Sequence, residues 1–380
     1  MKQGVFKYIF VLAFIILLII TYVVFYNNDS SSNKIEDKVS TTSNLITNLR
    51  LGIAEADTLN PIFTNNKNVK EISRIVFEPL VTVKDNYGLE FVLASGIAKE
   101  NSTTYIVTLR NNVTWHDGNR FTAQDVKFTI DLIKNIECSY STNLQYIDGL
   151  EIIDENTLKI KLFQEVEFFE YNLTMPIISS AYYDGVDVVT TDKNNYPMGT
   201  GMFKVASYEN GIIKLVQNEK YWNSDKKPLI TDIDVTLFDS IGSMYAAFKA
   251  GHIDIMEADS QNVQTYIGSL GYTKVDIPNR DVTFLSFNTG VDILSDGRTR
   301  KAISLYIDRA NLMANVGGGY LQTNFLLPAS SWIYDTKLDT VYLDSGIADQ
   351  LLMDAGWIYQ NNRWETEDGR LLTFSIMVNR

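Results

Sequence analysis

The stretch Tyr105–Ile130, YIVTLRNNVTWHDGNRFTAQDVKFTI, is the most informative part of the chain for the fold. Large apolar residues recur at every second position over Tyr105–Leu109, which is the period of a half-buried strand. Asn111–Gly118 is rich in residue types that favour turns. Thr122 followed by Asp125 resembles a capping box, so a helix should begin directly after Thr122. The stretch therefore predicts a strand that turns sharply into a capped helix.

Hairpins and a strand–helix–strand unit are predicted outside this stretch. Asn210-Gly211 between two apolar runs is a strong hairpin signal. Farther on, a strand at Ile233–Leu237, a helix stopped by Gly251 and a strand at Ile253–Met256 follow one another with short links, which implies parallel pairing. Together these patterns predict an α/β protein whose lobes carry an antiparallel insertion. The other predicted strands are Leu49–Ala54, Leu150–Ile153, Thr157–Leu162, Phe203–Tyr208, Ile212–Gln217, Phe284–Asn288 and Leu371–Val378, and the other predicted helices are Val69–Phe77, Met244–Ala250, Arg298–Tyr306, Arg309–Val316 and Ile347–Asp354.

Length, charge and composition narrow the possible functions. The chain has 380 residues, enough for two or three packed lobes. Its net charge of −13 argues against nucleic acid as a partner, because an acidic surface repels phosphates. Cys138 is the one cysteine and His116 and His252 are the two histidines, which argues against a disulfide and against a Cys- or His-rich metal site. We therefore predict no cofactor and no metal site.

Catalytic signatures are missing from the sequence. No GxxxxGK[ST], HExxH or GxSxG motif occurs, so the chain is not the ATPase of a transporter and shows no familiar hydrolase motif. In WHDG, Trp115–Gly118, a histidine adjoins an aspartate, but neighbours on a turn rarely form a working dyad, and we interpret the motif as turn chemistry. The protein is predicted not to be an enzyme, with a hydrolase that lacks the usual motifs as the alternative.

An apolar segment lies near the N-terminus. Tyr8–Tyr26 is uncharged, and as a helix it would span roughly 28 Å, about the core of a bilayer. Lys2 and Lys7 precede it, so the positive-inside rule leaves the N-terminus in the cytoplasm. Residues 1–26 are therefore predicted to be a membrane anchor, or alternatively a cleaved signal segment, followed by a polar linker over residues 27–47. The expected location is the cell membrane, with the bulk of the chain extracytoplasmic.

Six blocks of the sequence, in order, resemble the family 5 extracellular solute-binding proteins, the oligopeptide, dipeptide and nickel binders of ABC importers. No cysteine that could take a lipid follows the apolar segment, and in this the chain departs from the family pattern. The blocks are Leu59–Val81 (LNPIFTNN…ISRIVFEPLV), Tyr105–Ile130, Gly199–Trp222 (GTGMFKVASYENGIIKLVQNEKYW), Phe248–Ile255 (FKAGHIDI), Phe284–Met313 and Ala348–Trp357 (ADQLLMDAGW).

The resemblance implies a two-lobed α/β fold of the class II periplasmic-binding-protein type. Residues 48–270 would form the first lobe, with an inserted subdomain at about 82–190, and residues 271–380 would begin the second lobe. Family members continue well beyond this length, so the second lobe is expected to be truncated, to expose apolar surface and to bind ligand weakly or not at all. Proteins of this type hold their solute in the cleft between the lobes and close around a hinge.

The resemblance also implies a function. It points to an extracytoplasmic substrate-binding protein of an ABC transporter, which binds oligopeptides or dipeptides in the inter-lobe cleft and delivers them to permease subunits in the membrane. Capture of a peptide in this family resembles strand addition, with backbone hydrogen bonds supplying affinity. The alternatives are a membrane-anchored ligand or pheromone sensor and a nickel- or metallophore-binding protein of the same fold.

Ligand-binding residues follow from the resemblance position by position. The loop after Asn60-Pro61 aligns with a segment that reaches the ligand in oligopeptide binders, and Tyr140 matches a tyrosine that lines the cleft. Two more candidates lie on the predicted inter-lobe strand. The alternatives are a solvated loop for the loop residues, core or surface packing for the tyrosine and a structural role for the asparagine on the strand. The candidates are Thr64, Asn65, Asn66, Lys67, Tyr140, Phe284 and Asn288.

Overall fold

The computed structural model describes residues 47–378 except 55, 259–270, 278–281, 317–321, 324, 328–330 and 336–342. The strands are β1 Asn48–Ala54, β2 Val81–Val83, β3 Leu89–Phe91, β4 Ala94–Asn101, β5 Thr104–Leu109, β6 Ile147–Asp154, β7 Thr157–Leu162, β8 Phe203–Glu209, β9 Ile212–Gln217, β10 Asp232–Phe238, β11 Ile255–Met256, β12 Ile358–Gln360 and β13 Arg363–Glu365. The helices are α1 Lys67–Val76, α2 Ala123–Lys134, α3 Ser141–Leu144, α4 Ile241–Lys249, α5 Asp292–Ser295, α6 Gly297–Tyr306, α7 Arg309–Val316 and α8 Ser345–Asp354, and single 3₁₀ turns lie at Phe169–Asn172, Asp192–Asn195 and Ser224–Lys226.

A five-stranded sheet joins distant parts of the chain in the order β11-β1-β10-β9-β8. β1 lies between β10 and β11 and is parallel to both, with Leu51 opposite Val235 on one side and Ile255 on the other. Helix α4 connects β10 to β11 and ends before Gly251, whose φ is 75°. The predicted strand–helix–strand unit is therefore confirmed, with β1 placed between its two strands.

A four-stranded antiparallel sheet, in the order β4-β5-β7-β6, carries helix α2. The start of α2 confirms the predicted cap, since the Thr122 N–H donates to Asp125 Oδ2 at 2.9 Å. The same carboxylate also accepts from the indole N–H of Trp115 and from the Ser180 N–H and hydroxyl. Asp125 thus fixes the helix, the turn before it and a distant loop at one buried point.

The turn between β8 and β9 confirms the hairpin that Asn210-Gly211 predicts. Both residues are left-handed, with φ of 53° and 75°. A two-residue turn with both central residues in this region matches the twist of the flanking strands. Asparagine and glycine adopt this conformation at the lowest cost, which is why two residues specify the turn.

Two apolar cores stabilise these elements. The larger one runs from Ile53 in β1 to Val235 in β10 and includes fully buried side chains from α2 and the four-stranded sheet. Each such aliphatic side chain contributes roughly 1.5–3 kcal/mol. The smaller core lies between α6 and α8, and the indole N–H of Trp357 donates to Thr299 Oγ1 at 2.9 Å beside it. Its buried members are Ala302, Leu305, Ala348, Leu352 and Trp357.

The predictions of strands at Phe284–Asn288 and Leu371–Val378 are wrong. Phe284–Asn288 has no strand partner among the described residues, and in the second segment Leu371 alone forms a single bridge, to Glu365. Alternating apolar residues fit a strand, but a strand forms only where its backbone groups find partners. Apolar side chains of both segments are exposed: Phe284 by 68 % and Met377 by 96 %.

The predicted anchor, Tyr8–Tyr26, lies outside the described residues. Within the described part of the chain, no helix combines the length and the apolar character that crossing a bilayer requires.

Candidate ligand-binding site

The loop before α1 is organised by the carboxylate of Asp57. Its two oxygens accept from the Thr64 hydroxyl at 2.6 Å, from the Asn65 N–H at 2.7 Å and from the Thr58 N–H at 2.8 Å. Partial burial raises the pKa of Asp57, but these hydrogen bonds outweigh burial and hold the pKa below its usual value. Of the predicted residues, Thr64 has a fully buried side chain, whereas Asn65 lies at the surface.

A buried polar network holds the other side of this loop. Asn60 has no exposed surface, and its Oδ1 accepts from the Ile62 N–H at 3.0 Å. Its amide nitrogen donates to Asn194 Oδ1 at 2.9 Å and to the Tyr183 hydroxyl at 3.2 Å. Tyr183 in turn donates to Asn194 at 3.0 Å. Because the polar groups of this network are paired with one another, the network holds the loop in place at Asn60.

Asn66 and Lys67 begin helix α1. The side chain of Asn66 caps the helix by accepting from the Val69 N–H at 3.2 Å. The Lys67 ammonium lies 2.7 Å from Glu257 Oε1, directly after β11. Both side chains of this ion pair are more than half exposed, so the pair adds little stability and a charged ligand can compete with it.

Tyr140 lies beside the same helix. Lys70 Nζ donates to Ser139 Oγ at 3.3 Å, which places the loop of residues 138–141 along α1. Tyr140 is half-buried against the larger core, and burial raises the pKa of its hydroxyl while the nearby Arg74 lowers it. Helix α1 thus connects the four loop candidates, 64–67, with the fifth candidate, Tyr140.

Phe284 and Asn288 are not brought to this helix by any described contact. Both are exposed, and Asn288 Oδ1 accepts from the Gly290 N–H at 3.0 Å, within its own turn. A pocket of about 450 Å³ lies elsewhere, at the turn between β2 and β3, and no predicted site residue lines it. Its lining residues are Lys84, Asp85, Asn86 and Glu90.

Sequence reasoning missed the buried carboxylate of Glu78, which is 5 % exposed. Its oxygens accept from the Thr200 hydroxyl at 2.8 Å, the Tyr221 hydroxyl at 2.7 Å and the Trp222 indole N–H at 2.9 Å. Burial raises the pKa of Glu78, although these donors and the positive charge of Arg110 oppose the shift. Arg110 itself lies 4.5 Å from the ring centre of Trp222. The cluster ties the chain just after α1 to the segments that precede β8 and follow β9.

His116 connects the WHDG turn to the loop that carries Thr200. Its Nδ1 accepts from the Gly199 N–H at 3.2 Å, so the neutral ring carries its proton on Nε2 and donates to the Gly201 carbonyl at 3.0 Å. Burial lowers the pKa of His116 to about 4. The interpretation of WHDG as turn chemistry is confirmed, since the Gly118 N–H donates to the Trp115 carbonyl at 2.8 Å.

We expect His116→Leu to lower the free energy of unfolding at pH 7 by about 2 kcal/mol, because the Gly199 N–H loses its acceptor and the Gly201 carbonyl keeps only the hydrogen bond from Asn218. The lowered pKa means that neutral His116 stabilises the fold above its unfolded-state pKa of 6.5, and that this stabilisation is lost as the pH falls towards 4. The difference between wild type and variant should therefore shrink between pH 6.5 and pH 4 in urea unfolding. A difference that stays constant over this range would contradict the assignment. Leucine at the exposed His252 is the control, with an expected change at pH 7 within about 0.5 kcal/mol.

The described residues contain no group of three or more His, Cys, Asp or Glu side chains that could hold a metal ion. Both ring nitrogens of His116 are occupied by backbone groups, so its ring is not available as a general base in this arrangement.

Comparison with known proteins gives consistent matches. A family profile described as "Bacterial extracellular solute-binding proteins, family 5 Middle" matches residues 90–380. A putative ABC transporter peptide-binding protein of Brucella ovis is 27 % identical over 294 residues, covering 74 % of this chain and 55 % of the relative. The dipeptide-binding protein of Escherichia coli is 24 % identical, covering 68 % of this chain and 53 % of the relative. The chain thus spans about half the length of these curated relatives.

Solved structures agree on the fold. NikZ from Campylobacter jejuni, in complex with Ni(L-His), has a TM-score of 0.63 and 24 % identity, covering 86 % of this chain and 66 % of that one. CtaP, an ABC transporter substrate-binding protein from Listeria monocytogenes, has a TM-score of 0.68 and 23 % identity, covering 81 % of this chain and 65 % of that one. The expected periplasmic-binding-protein-like α/β fold is confirmed by these matches.

Proposed function

Because the chain belongs to the bacterial extracellular solute-binding proteins of family 5, we propose that it is the extracytoplasmic substrate-binding component of an ABC importer and that its ligands are peptides. The profile match over residues 90–380 carries this proposal. The names of the relatives support peptides as the ligand class, since they include peptide-, oligopeptide- and dipeptide-binding proteins. Permease subunits in the membrane receive the ligand.

The exposed surface around the start of α1 is proposed to be the part of the ligand site that the described residues contribute. Asn65 is exposed there, Asn66 caps α1, and Lys67 carries an exposed ammonium that is paired with Glu257, on a loop that Asp57 and the Asn60 network hold in place. A rigid loop loses little conformational entropy when a peptide backbone bonds to it. The buried Thr64 holds the loop through its hydrogen bond to Asp57, and Tyr140 lies in a separate loop beside the helix.

We propose that the rest of the chain is organised as in the family. Residues 48–270 form the first lobe, with the subdomain at about 82–190 inserted in it, and residues 271–380 lie in the second lobe. Phe284 and Asn288 lie where the chain has entered the second lobe. Residues 1–26 anchor the protein in the membrane through a polar linker at 27–47, and the bulk of the chain stays outside the cytoplasm.

We propose binding without catalysis. The relatives are named as binding proteins, and the buried acid Glu78 and the base His116 are both occupied by structural hydrogen bonds. A nickel chelate is the second candidate ligand, because a structure with the same fold holds Ni(L-His).

Melting of the full chain in detergent, with separate pools of dipeptides and oligopeptides and with nickel–histidine, tests the ligand class. A ligand that binds the folded state raises the melting temperature, and at one hundred times its Kd it adds about 2.7 kcal/mol. Because binding to this chain is expected to be weak, the pools are used at high concentration, and we expect a small rise with peptides. Asn65→Ala and Lys67→Ala should reduce this rise, whereas Lys301→Ala, at an exposed lysine on α6, should leave it unchanged. A rise with nickel–histidine alone would favour the metal alternative. No rise with any of the three would overturn the proposal.

A further inference from the structure

A short turn late in the chain contacts the β2–β3 hairpin. The backbone N–H of Trp332 donates to the Asn86 carbonyl at 3.1 Å. The indole N–H of the same residue donates to the next carbonyl, that of Tyr87, also at 3.1 Å. The backbone and indole N–H groups of Trp332 therefore donate to two consecutive carbonyls of a hairpin that lies 245 residues earlier in the sequence.

Aromatic residues complete a notch around the indole. The ring of Phe168 meets the Trp332 ring edge to face, with centres 5.7 Å apart and planes at 66°. The Tyr171 hydroxyl donates to the Tyr87 carbonyl at 3.1 Å, so this one oxygen accepts from two side chains. The rings of Phe168 and Tyr171 also meet edge to face, 6.1 Å apart. We call the group formed by Asn86, Tyr87, Phe168 and Tyr171 the indole notch.

Backbone strain is concentrated in this notch. Tyr87 and Phe168 both have left-handed backbones, with φ of 62° and 56°, although neither is glycine or asparagine. A large side chain in this region is uncommon and costs free energy, and such strain often marks a functional position. The two residues that contact the indole of Trp332 are thus both held in a costly conformation.

The turn that carries Trp332 is supported by its own contacts. The Tyr334 N–H donates to the Ser331 carbonyl at 3.1 Å, and Ser331 is 5 % exposed. The ring of Tyr334 meets that of Phe325 edge to face, 5.9 Å apart. The side chain of Trp332 itself is 53 % exposed, so it can leave the notch without opening a core.

We propose that Ser331–Tyr334 is an intramolecular clasp, which ties the part of the chain after Gly271 to the β2–β3 hairpin by seating Trp332 in the indole notch. The clasp makes the hairpin and the later part of the chain move together. Because its contacts are at the surface, it opens by itself while the larger core stays folded. This inference does not depend on which ligand the protein binds.

Hydrogen exchange of the residue 332 amide in the full chain tests the clasp, since this amide is protected by the Asn86 carbonyl. Trp332→Ala should speed its exchange by about tenfold or more, because the indole hydrogen bond and ring contact are lost. Trp332→Phe keeps a ring and should have a smaller effect. Ile333→Ala is the matched control, since Ile333 is the exposed apolar neighbour in the same turn. Equal exchange in Trp332→Ala and wild type would overturn the proposal.

A double variant separates a clasp from general destabilisation. Phe168→Ala should speed exchange at residue 332 as well. The double variant should speed it by less than the two single effects combined, because both substitutions remove the same ring contact. Amides of α2 should exchange at the wild-type rate in all variants. Strict additivity, or faster exchange in α2 as well, would contradict a local clasp.

The coupled movement has its own measurement. Spin labels at two exposed positions, Ser102 and Met353, in a Cys138→Ser background report the distance between the early and late parts of the chain. Trp332→Ala should broaden the distance distribution, and Ile333→Ala should leave it as in the parent. An unchanged distribution in Trp332→Ala would refute the coupling.

Discussion

Gly199→Ala is expected to lower the free energy of unfolding by about 3 kcal/mol or more. A Cβ at this position would lie 1.8 Å from the Val76 carbonyl oxygen and 2.7 Å from the carbonyl carbon. Both atoms belong to the backbone at the end of α1, so no side chain can rotate away to make room. The loop would have to leave the helix, and the hydrogen bonds that His116 makes to this loop would be lost with it.

Chemical denaturation followed by circular dichroism measures this effect. Gly96→Ala is the matched control, because a Cβ at Gly96 meets nothing within 4 Å and Gly96 has no positive φ. The denaturation midpoint should fall strongly in Gly199→Ala and stay near that of the parent in the control. Similar midpoints for the two variants would show that the loop does not pack on α1 as described.

Glu78→Ala is expected to cost about 3 kcal/mol, because it leaves buried donors without an acceptor. Thr200, Tyr221 and Trp222 all donate to this carboxylate, and the substitution also leaves a cavity at their centre. Glu78→Gln retains one acceptor oxygen and should cost about 1 kcal/mol. The expected order of stability at pH 7 is wild type, Glu78→Gln, then Glu78→Ala.

The pH dependence of the Glu78 variants provides a second check. The raised pKa means that ionisation of Glu78 lowers the stability of the fold. The stabilising contribution of the protonated group is complete below the unfolded-state pKa and is lost as the pH rises through the folded-state pKa. The deficit of Glu78→Gln relative to wild type should therefore be smaller at pH 7 than at pH 4, which is opposite to the behaviour expected for His116→Leu. A deficit that grows with pH would mean that hydrogen bonds to the carboxylate outweigh its burial.

Local signals explain why much of the fold could be predicted. The cap formed by Thr122 and Asp125 and the hairpin turn at Asn210-Gly211 depend on residues within a few positions of each other, and the structure contains both. The strand predicted at Phe284–Asn288 depends on partners elsewhere in the chain, and no described residue supplies them. Apolar alternation indicates that a segment can form a strand, whereas hydrogen-bonding partners elsewhere in the chain decide whether it does.

Prediction of the candidate site was limited in the same way, by contacts between distant parts of the chain. The loop at residues 64–67 could be proposed because a motif resemblance covers it, and the structure shows how Asp57 holds it. The Glu78 cluster could not, because its members lie up to 144 residues apart and each looks ordinary in its own segment. Only part of the role of His116 could be predicted, because its turn is local but the glycines that its ring bonds lie 83 and 85 positions away.

The position of β1 between β10 and β11 sets the order in which the chain can fold during synthesis. β1 leaves the ribosome early, but its partners follow much later, with Asn48 paired to Asp232 and Leu51 to Ile255. At the usual translation rate of about 5–20 residues per second, β1 waits roughly 10–40 s for them. During that delay its edges are open to wrong partners, and such long-range pairing is slow in itself. Nascent chains of this protein should therefore rely on a holding chaperone until β11 has emerged.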